Sequence, residues 1–90
     1  MISRSTLYLT DDGRPMTSQE QLALLLDMGG LKYSEAAEIA GVATSTIQTY
    51  RKVSKRRHVS PAIIERLEAH VLGRIARFAD AAGYVLQPRT

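Results

Sequence analysis

Short polar side chains are concentrated in one stretch of the chain, from Thr44 to Lys52, that is predicted to be helical. The polar members that share one side of this helix are Thr44, Ser45, Gln48, Thr49 and Lys52. The apolar Val42, Ile47 and Tyr50 are expected to hold the helix against the rest of the protein. Hydroxyl and amide groups beside a cation supply the donors and acceptors needed to contact base edges in the major groove of DNA. A solvated helix face is the alternative, but such a face more often carries Glu, Lys and Ala, because Thr and Ser form helices less readily.

Cations are concentrated just after this polar helix face. No acidic residue occurs between Glu38 and Glu65, and the net charge of the whole chain is only +3. The basic residues clustered in this interval are Arg51, Lys52, Lys55, Arg56 and Arg57. A solvated loop is the simple explanation of such a cluster, and a polyanionic partner becomes the better one only if the fold places the cluster beside the polar helix face.

Catalytic and metal-binding chemistry finds little support in the sequence. The chain has no Cys, which excludes disulfides, thiolate metal sites and a cysteine nucleophile. His58 and His70 are the only histidines, and no carboxylates surround them at the spacing of metal ligands. No G-x-S-x-G segment is present, and Gly29-Gly30 is not followed by the Lys and Ser/Thr of a phosphate-binding loop. We therefore predict that the protein is not an enzyme and uses no cofactor or metal.

The elements that must position the polar helix are predicted from capping and turn signals. A short strand from Thr6 to Thr10 leads through the turn "DDGRP" to a first helix. Its start at Thr17 is indicated by the capping-box spacing to Glu20, and Gly29-Gly30 ends it. Two further helices are expected over Ser34 to about Ile39 and over about Thr44 to Lys52.

The C-terminal third is predicted to be helical from Ser60-Pro61, where Ser serves as N-cap and Pro suits the first helical position. Gly73 leaves open whether the segment is one long helix or two. Gly83 ends it, and "YVLQ" before Pro88 is predicted to form a second short strand. The apolar stripe of this segment consists of Ile64, Leu67, Val71, Ile75, Phe78 and Ala82. The predicted fold class is mainly α, a compact helical bundle with short β-strands near its termini.

The segment "AAEIAGVATSTIQTY" resembles the helix-turn-helix of the lambda-repressor-like and Lac-repressor-like regulators. The positions that match the family pattern are Ala37, Gly41, Val42 and Ile47. More loosely, the order of elements over residues 17–72 resembles small phage repressors and anti-CRISPR-associated autorepressors. One position departs from the pattern, because the family commonly has Ser as N-cap of the recognition helix and this chain has Ala43. Either Thr44 takes over the cap or the helix starts less firmly.

The resemblance implies a division of roles among the polar and basic residues. It implies that Thr44, Ser45, Gln48 and Thr49 approach bases, with Gln48 able to pair with an adenine edge. It implies that Ser34, at the start of the second helix, meets a phosphate through its hydroxyl or through the helix N-terminus. The residues expected to contact the DNA backbone are Arg51, Lys52, Lys55, Arg56 and Arg57.

A second copy of the chain is predicted to cover part of the C-terminal stripe. A chain of 90 residues has a core that is only marginally large enough for a stable monomer. Its three-helix part is too small to cover a stripe that extends from Ile64 to Ala82. The residues assigned to the dimer interface are Leu67, Val71, Ile75 and Phe78.

These observations predict one domain, residues 1–90, with an N-terminal arm (1–16), a first helix with the helix-turn-helix (17–59) and a C-terminal dimerisation segment (60–90). No signal peptide is recognised, and no run approaches the roughly 20 apolar residues of a membrane span, so we expect a cytoplasmic protein.

The expected function is a dimeric, sequence-specific transcriptional regulator that recognises a palindromic operator in the major groove of double-stranded DNA. Repression is favoured over activation, because the sequence has no separate domain to contact polymerase or to bind a small-molecule effector. Two alternatives remain open: an architectural DNA-binding accessory module, excisionase-like or small-terminase-like, and a protein-interaction module without a nucleic-acid partner.

Overall fold

Four helices make up the regular structure in the part of the chain that the structure, a computed structural model, describes: residues 8–52 and 57–87. The helices are α1 (Ser18–Gly29), α2 (Tyr33–Ala40), α3 (Thr44–Tyr50) and α4 (Pro61–Ala81). Both α1 and α2 pack against α4, and α2 also packs against α3. The protein is therefore a mainly α, compact helical bundle, as the sequence predicts.

The first helix begins where the capping box predicts. Thr17 Oγ1 accepts a hydrogen bond from the backbone N–H of Glu20 (3.2 Å), and Glu20 Oε1 accepts one from the backbone N–H of Thr17 (3.0 Å). These reciprocal bonds satisfy N–H groups that the start of a helix otherwise leaves unpaired. The helix ends at Gly30, whose left-handed backbone (φ +60°) turns the chain toward α2.

The core lies between α4 and the three shorter helices. Leu22 of α1, Ile47 of α3 and Leu67 of α4 are completely buried. Full burial of side chains of this kind stabilises a fold by about 1.5–3 kcal/mol each. The backbone of α1 comes close to α4 at Gly29, where a Cβ atom would lie 3.1 Å from Val71 Cγ2. A side chain at this position would require Leu31 and Val71 to move by a few tenths of an ångström.

The last helix, α4, is continuous through Gly73, which decides the question that the sequence left open. Ser60 occupies its N-cap position and Pro61 its first turn, as predicted, although the Ser60 side chain forms no capping hydrogen bond. This helix has 21 residues, or about 31 Å at 1.5 Å per residue, whereas α1, the longest of the other three, has 12 residues.

Two arginines of α4 bind the ends of other helices. Arg66 Nη1 donates a hydrogen bond to the carbonyl oxygen of Ala40 at the end of α2 (2.7 Å). Arg74 Nη1 donates one to the carbonyl oxygen of Gly29 at the end of α1 (2.9 Å). Neither α1 nor α2 has a basic residue in its own last turn. The guanidinium groups of α4 therefore supply the positive charge that the C-terminal end of a helix dipole favours.

The predicted dimer stripe is wrong over its first half. Leu67 and Val71 are 0% and 4% exposed and belong to the core of the single chain, because α1 and α2 both lie along α4. Ile75 is partly buried against the same core. Phe78 remains 74% exposed, although the next residue, Ala79, is buried. Only the distal part of the stripe is therefore available to a partner.

The predicted terminal strands are also wrong as far as the described residues extend. Residues 6–7 lie outside the described part, and Leu9 forms only an isolated antiparallel bridge with Pro15. Pro15 has no N–H with which to extend a ladder. Residues 84–87 are irregular and have no strand beside them among the described residues. Alternating or β-branched residues form a strand only where a second strand accepts their backbone hydrogen bonds.

Candidate nucleic-acid interface

A sharp turn between α2 and α3 sets the position of the polar helix. Gly41 ends α2 in the left-handed conformation, with φ +73°. The turn is closed by backbone hydrogen bonds from Gly41 N–H to Glu38 O (3.3 Å) and from Val42 N–H to Ala37 O (3.0 Å). Ala37 is buried, and its small side chain takes up little space where α2 packs against its neighbouring helices. The glycine and the small residue thus occupy the positions that the sequence pattern assigns to them.

The rotation of α3 about its axis is fixed by its apolar side. Ile47 is completely buried, and Val42 and Tyr50 pack half-buried against the same core. The opposite side is turned outward, and its exposed members are Ser45 and Gln48, with Thr44 and Thr49 half-buried beside them. Lys52, predicted to lie on the same helix, is exposed two residues beyond its end. The structure therefore brings the polar residues of α3 to one side of a single short helix.

Thr49 differs from the other polar residues of α3. Its hydroxyl donates a hydrogen bond to the backbone carbonyl of Ser45, one turn earlier, at 2.8 Å. This back-bonding is common for Thr inside helices. The hydroxyl proton is therefore used within the helix, and the remaining chemistry of Thr49 is its methyl group and the lone pairs of Oγ1.

The start of α3 has no side-chain cap. Ala43 occupies the N-cap position in an extended conformation, and Thr44 is the first helical residue. Thr44 therefore does not take over the N-cap position, which was the first of the two alternatives left by the sequence. The carbonyl oxygen of Ala43 accepts a hydrogen bond from Thr46 N–H, three residues later (3.0 Å). Packing of Ile47, rather than capping, holds this helix in place.

The cations predicted to contact phosphates are placed unequally. Arg51 ends α3 half-buried, and its backbone N–H is bonded to Ile47 O and Gln48 O (both 3.1 Å). Lys52 and Arg57 are exposed, and Lys55 and Arg56 lie outside the described residues. Ser34 is exposed in the first turn of α2. Exposure leaves the charged groups of Lys52 and Arg57 accessible to a polyanion.

A groove that the sequence did not predict runs beside the C-terminal end of α3. It is bounded by the first turn of α1 (17–20), by residues 50–51 at the end of α3 and by residues 57–58, with Arg14 at its rim, and its volume is about 740 Å³. We call it the basic groove. Its walls come from three separated parts of the chain. Motifs and periodicity do not reveal contacts between distant parts of a chain, so the groove could not be predicted from the sequence.

One ion pair lies at the rim of the basic groove. Arg14 binds the Glu20 carboxylate through two nitrogens, Nη1 to Oε1 at 3.3 Å and Nη2 to Oε2 at 3.1 Å. The hydrogen bonds from Arg14, with a further bond from the Thr17 backbone, lower the pKa of Glu20 to about 2. Glu20 is therefore an anion at neutral pH, and its charge is offset by that of Arg14.

Comparisons with protein-family models, with curated proteins and with solved structures found no match to this chain. Among the described residues, no group of His, Asp or Glu side chains is arranged to hold a metal ion. No helix within the same residues is long and apolar enough to cross a membrane. Function is therefore inferred from the residues of α3 and their surroundings.

Proposed function

We propose that the protein binds duplex DNA through α3 in a sequence-specific manner and regulates transcription by occupying an operator. The observation that carries this proposal is the outward side of α3, where Ser45 and Gln48 are exposed opposite the fully buried Ile47. An α-helix about 10–12 Å in diameter fits a major groove about 12 Å wide. The Gln48 amide has the donor and the acceptor that bind an adenine edge at two atoms.

Charge around α3 supports a polyanionic partner. No acidic residue lies on α3, and Arg51 and Lys52 directly follow it. Arg57 is exposed at the next described position along the chain. Phosphate contacts from such residues fix the orientation of a protein on DNA, while contacts to base edges provide specificity. A solvated helix would not require cations on this side of the molecule.

A dimer completes the proposal. Phe78 is 74% exposed at the distal end of α4, and Tyr84 and Val85, which follow this helix in the chain, are exposed as well. Large apolar side chains that are exposed in one patch mark interaction sites, and a dimer interface at this end would cover them. Two copies joined at this end would present two α3 helices to successive major grooves of a palindromic site. Repression requires only that the site be occupied, and the proposed activity implies a cytoplasmic location.

A binding-site selection from a random duplex library tests this function. We expect enrichment of a palindrome whose half-sites are about 10 base pairs apart, one turn of DNA. Binding that depends on salt but enriches no sequence would favour an architectural accessory module instead. If no duplex is bound at any salt concentration, the proposal is wrong and a protein-interaction module becomes the better hypothesis.

A further inference from the structure

The walls of the basic groove are fixed by specific contacts between distant parts of the chain. Ser18 Oγ accepts a hydrogen bond from the backbone N–H of Val59 (2.9 Å), which ties the segment after residues 57–58 to the first turn of α1. Gln19 Nε2 donates to the carbonyl oxygen of Tyr50 (2.9 Å), which ties the end of α3 to the same turn. Val59 is itself buried in the core. The groove is therefore a built feature of the fold.

The charge of the basic groove is positive. Glu20 is the one acid among its lining residues, and Arg14 neutralises it through the ion pair at the rim. Arg51 and Arg57 also line the groove, and neither forms an ion pair with a residue in the ranges 8–52 and 57–87. His58 lies beside them and is exposed. The guanidinium groups of Arg51 and Arg57 therefore make the net charge of the groove positive.

The C-terminal carbonyls of α3, which would repel an anion, are already bonded. Tyr50 O accepts from the Gln19 side chain, and Thr49 O accepts from the Lys52 backbone N–H (3.2 Å). The Arg51 backbone N–H occupies the carbonyls of the preceding residues. The opposite wall contributes the first turn of α1, which is the positive end of that helix dipole. The wall at α1 therefore favours an anion, and the wall at α3 repels it less than an unbonded helix end would.

We propose that the basic groove binds phosphate, and that the phosphates belong to the DNA strand that passes the C-terminal end of α3. This inference rests on the proposed DNA-binding function and extends the interface to Arg14, His58 and the first turn of α1, which the sequence did not include. Arg51 links the groove to the proposed base-contacting side of α3. It lies about one turn after Gln48, at the C-cap of this helix, and it also lines the groove. A strand whose bases meet Gln48 would carry its phosphates past Arg51.

The chemistry and size of the groove favour a sugar-phosphate backbone over a free phosphate ion. The planar guanidinium groups of Arg51 and Arg57 match the oxygens of a phosphate better than a point charge does. The volume of about 740 Å³ is much larger than a single phosphate ion, so a stretch of sugar-phosphate backbone fills it better than an isolated anion. The experiment must nevertheless distinguish DNA from a free phosphate compound, since both offer the same oxygens.

The first arm of the test measures binding of the full chain to a random-sequence duplex at several salt concentrations. We expect Arg57→Gln to lower the slope of log K against log salt by about one, the value for one lost phosphate contact. Arg77→Gln removes an exposed cation of α4 outside the groove and should leave the slope at the wild-type value. Far-UV circular dichroism of each variant checks that the helices are intact.

A charge-matched pair of variants tests the rim. Arg14→Gln leaves the Glu20 carboxylate without its partner and should weaken binding to the same random duplex. Arg14→Gln combined with Glu20→Gln restores the net charge of the groove, and Gln still suits the capping-box position. We therefore expect the double variant to recover most of the lost affinity, whereas an effect due only to local structure would not recover.

The second arm replaces DNA with pyrophosphate at constant ionic strength and follows the backbone amide resonances of Ser18, Arg51 and His58. One outcome is that pyrophosphate causes saturable amide shifts that Arg57→Gln abolishes, while the slope of log K against log salt for DNA is the same in Arg57→Gln and wild type. The groove would then bind phosphate, but its assignment to DNA would be overturned. The same shifts in a protein that binds no duplex would overturn the proposed function and leave the phosphate site standing. If Arg57→Gln has the wild-type slope on DNA and pyrophosphate causes no amide shifts, the inference is overturned, even if the wild type binds DNA.

Discussion

The guanidinium group of Arg66 occupies the space that a side chain at Gly41 would need. A Cβ atom at position 41 would lie 2.9 Å from Arg66 Nη1, the nitrogen that donates to Ala40 O at 2.7 Å. Gly41 also has φ +73°, which favours glycine for a separate reason. The left-handed backbone is therefore the main constraint on the turn that positions α3, and a side chain at position 41 would also require the flexible end of Arg66 to shift.

The first prediction compares two glycines that end helices in the left-handed conformation. Gly41→Ala should destabilise the protein more than Gly30→Ala, because a Cβ at Gly30 (φ +60°) meets no atom within 4 Å. The left-handed backbone costs roughly 1–2 kcal/mol in either variant. The end of the flexible Arg66 side chain must shift in Gly41→Ala, which should add about 0.5–1.5 kcal/mol, the net contribution of one hydrogen bond, where its bond to Ala40 O is lost. Urea unfolding of both variants measures the difference, and equal losses would show that Arg66 moves aside without cost.

The second prediction concerns stability in acid. The Arg14 hydrogen bonds, and then the bond from the Thr17 backbone, lower the pKa of Glu20 from 4.5 to about 2. Because the pKa is lower in the folded state than in the unfolded one, the carboxylate stabilises the fold above about pH 4.5, and this contribution is lost as the pH falls toward 2. We expect the difference in melting temperature between wild type and Glu20→Gln to shrink over this interval. Arg14→Gln removes the main cause and should reduce the same pH dependence; a difference that is constant from pH 7 to pH 2 would contradict the prediction.

Local signals in the sequence were sufficient to predict the helices. The capping box of Thr17 and Glu20, the Ser60-Pro61 start and the glycine at position 41 each act through neighbouring residues, and each has the predicted role in helix placement. The burial of Ile47 follows from its spacing within α3. These features depend on short stretches of chain, and the pattern of a short stretch is what a sequence displays directly.

Contacts between distant residues were not predictable in this way. The bonds of Arg66 and Arg74 to the ends of α2 and α1 depend on how far those helices reach along α4. The same fact makes Leu67 and Val71 core residues rather than dimer contacts. The basic groove is likewise formed by segments that only the tertiary fold brings together. Periodicity identifies the apolar side of a helix, but it does not identify which chain covers that side.

The third prediction separates base contacts from phosphate contacts on α3. Gln48→Ala should cost about 1–3 kcal/mol on the selected DNA site and little on random duplex, because the amide would contact a base edge. Lys52→Gln is the matched comparison, since an exposed cation that contacts a phosphate should affect both kinds of DNA alike. Titrations of each variant on both duplexes provide the measurement. Equal losses for Gln48→Ala on the two duplexes would make Gln48 a backbone contact.

The last prediction concerns the exposed end of α4. Phe78 is 74% exposed in the single chain, so Phe78→Asp should leave the helical bundle folded while placing a charge in the proposed dimer interface. Ala76→Asp introduces the same charge on an exposed position that lies about 200° around the helix from Phe78, given 3.6 residues per turn, and serves as the control.

Analytical ultracentrifugation at micromolar concentration should find a dimer for the wild type and for Ala76→Asp, and a monomer for Phe78→Asp. The monomer should also lose affinity for the selected palindrome although every residue of α3 is unchanged, because two linked recognition helices about 34 Å apart read the two half-sites together. Circular dichroism must confirm that Phe78→Asp remains helical. A Phe78→Asp dimer with full affinity for the palindrome would place the subunit contact elsewhere on the protein, and a wild-type monomer would overturn the proposed dimer.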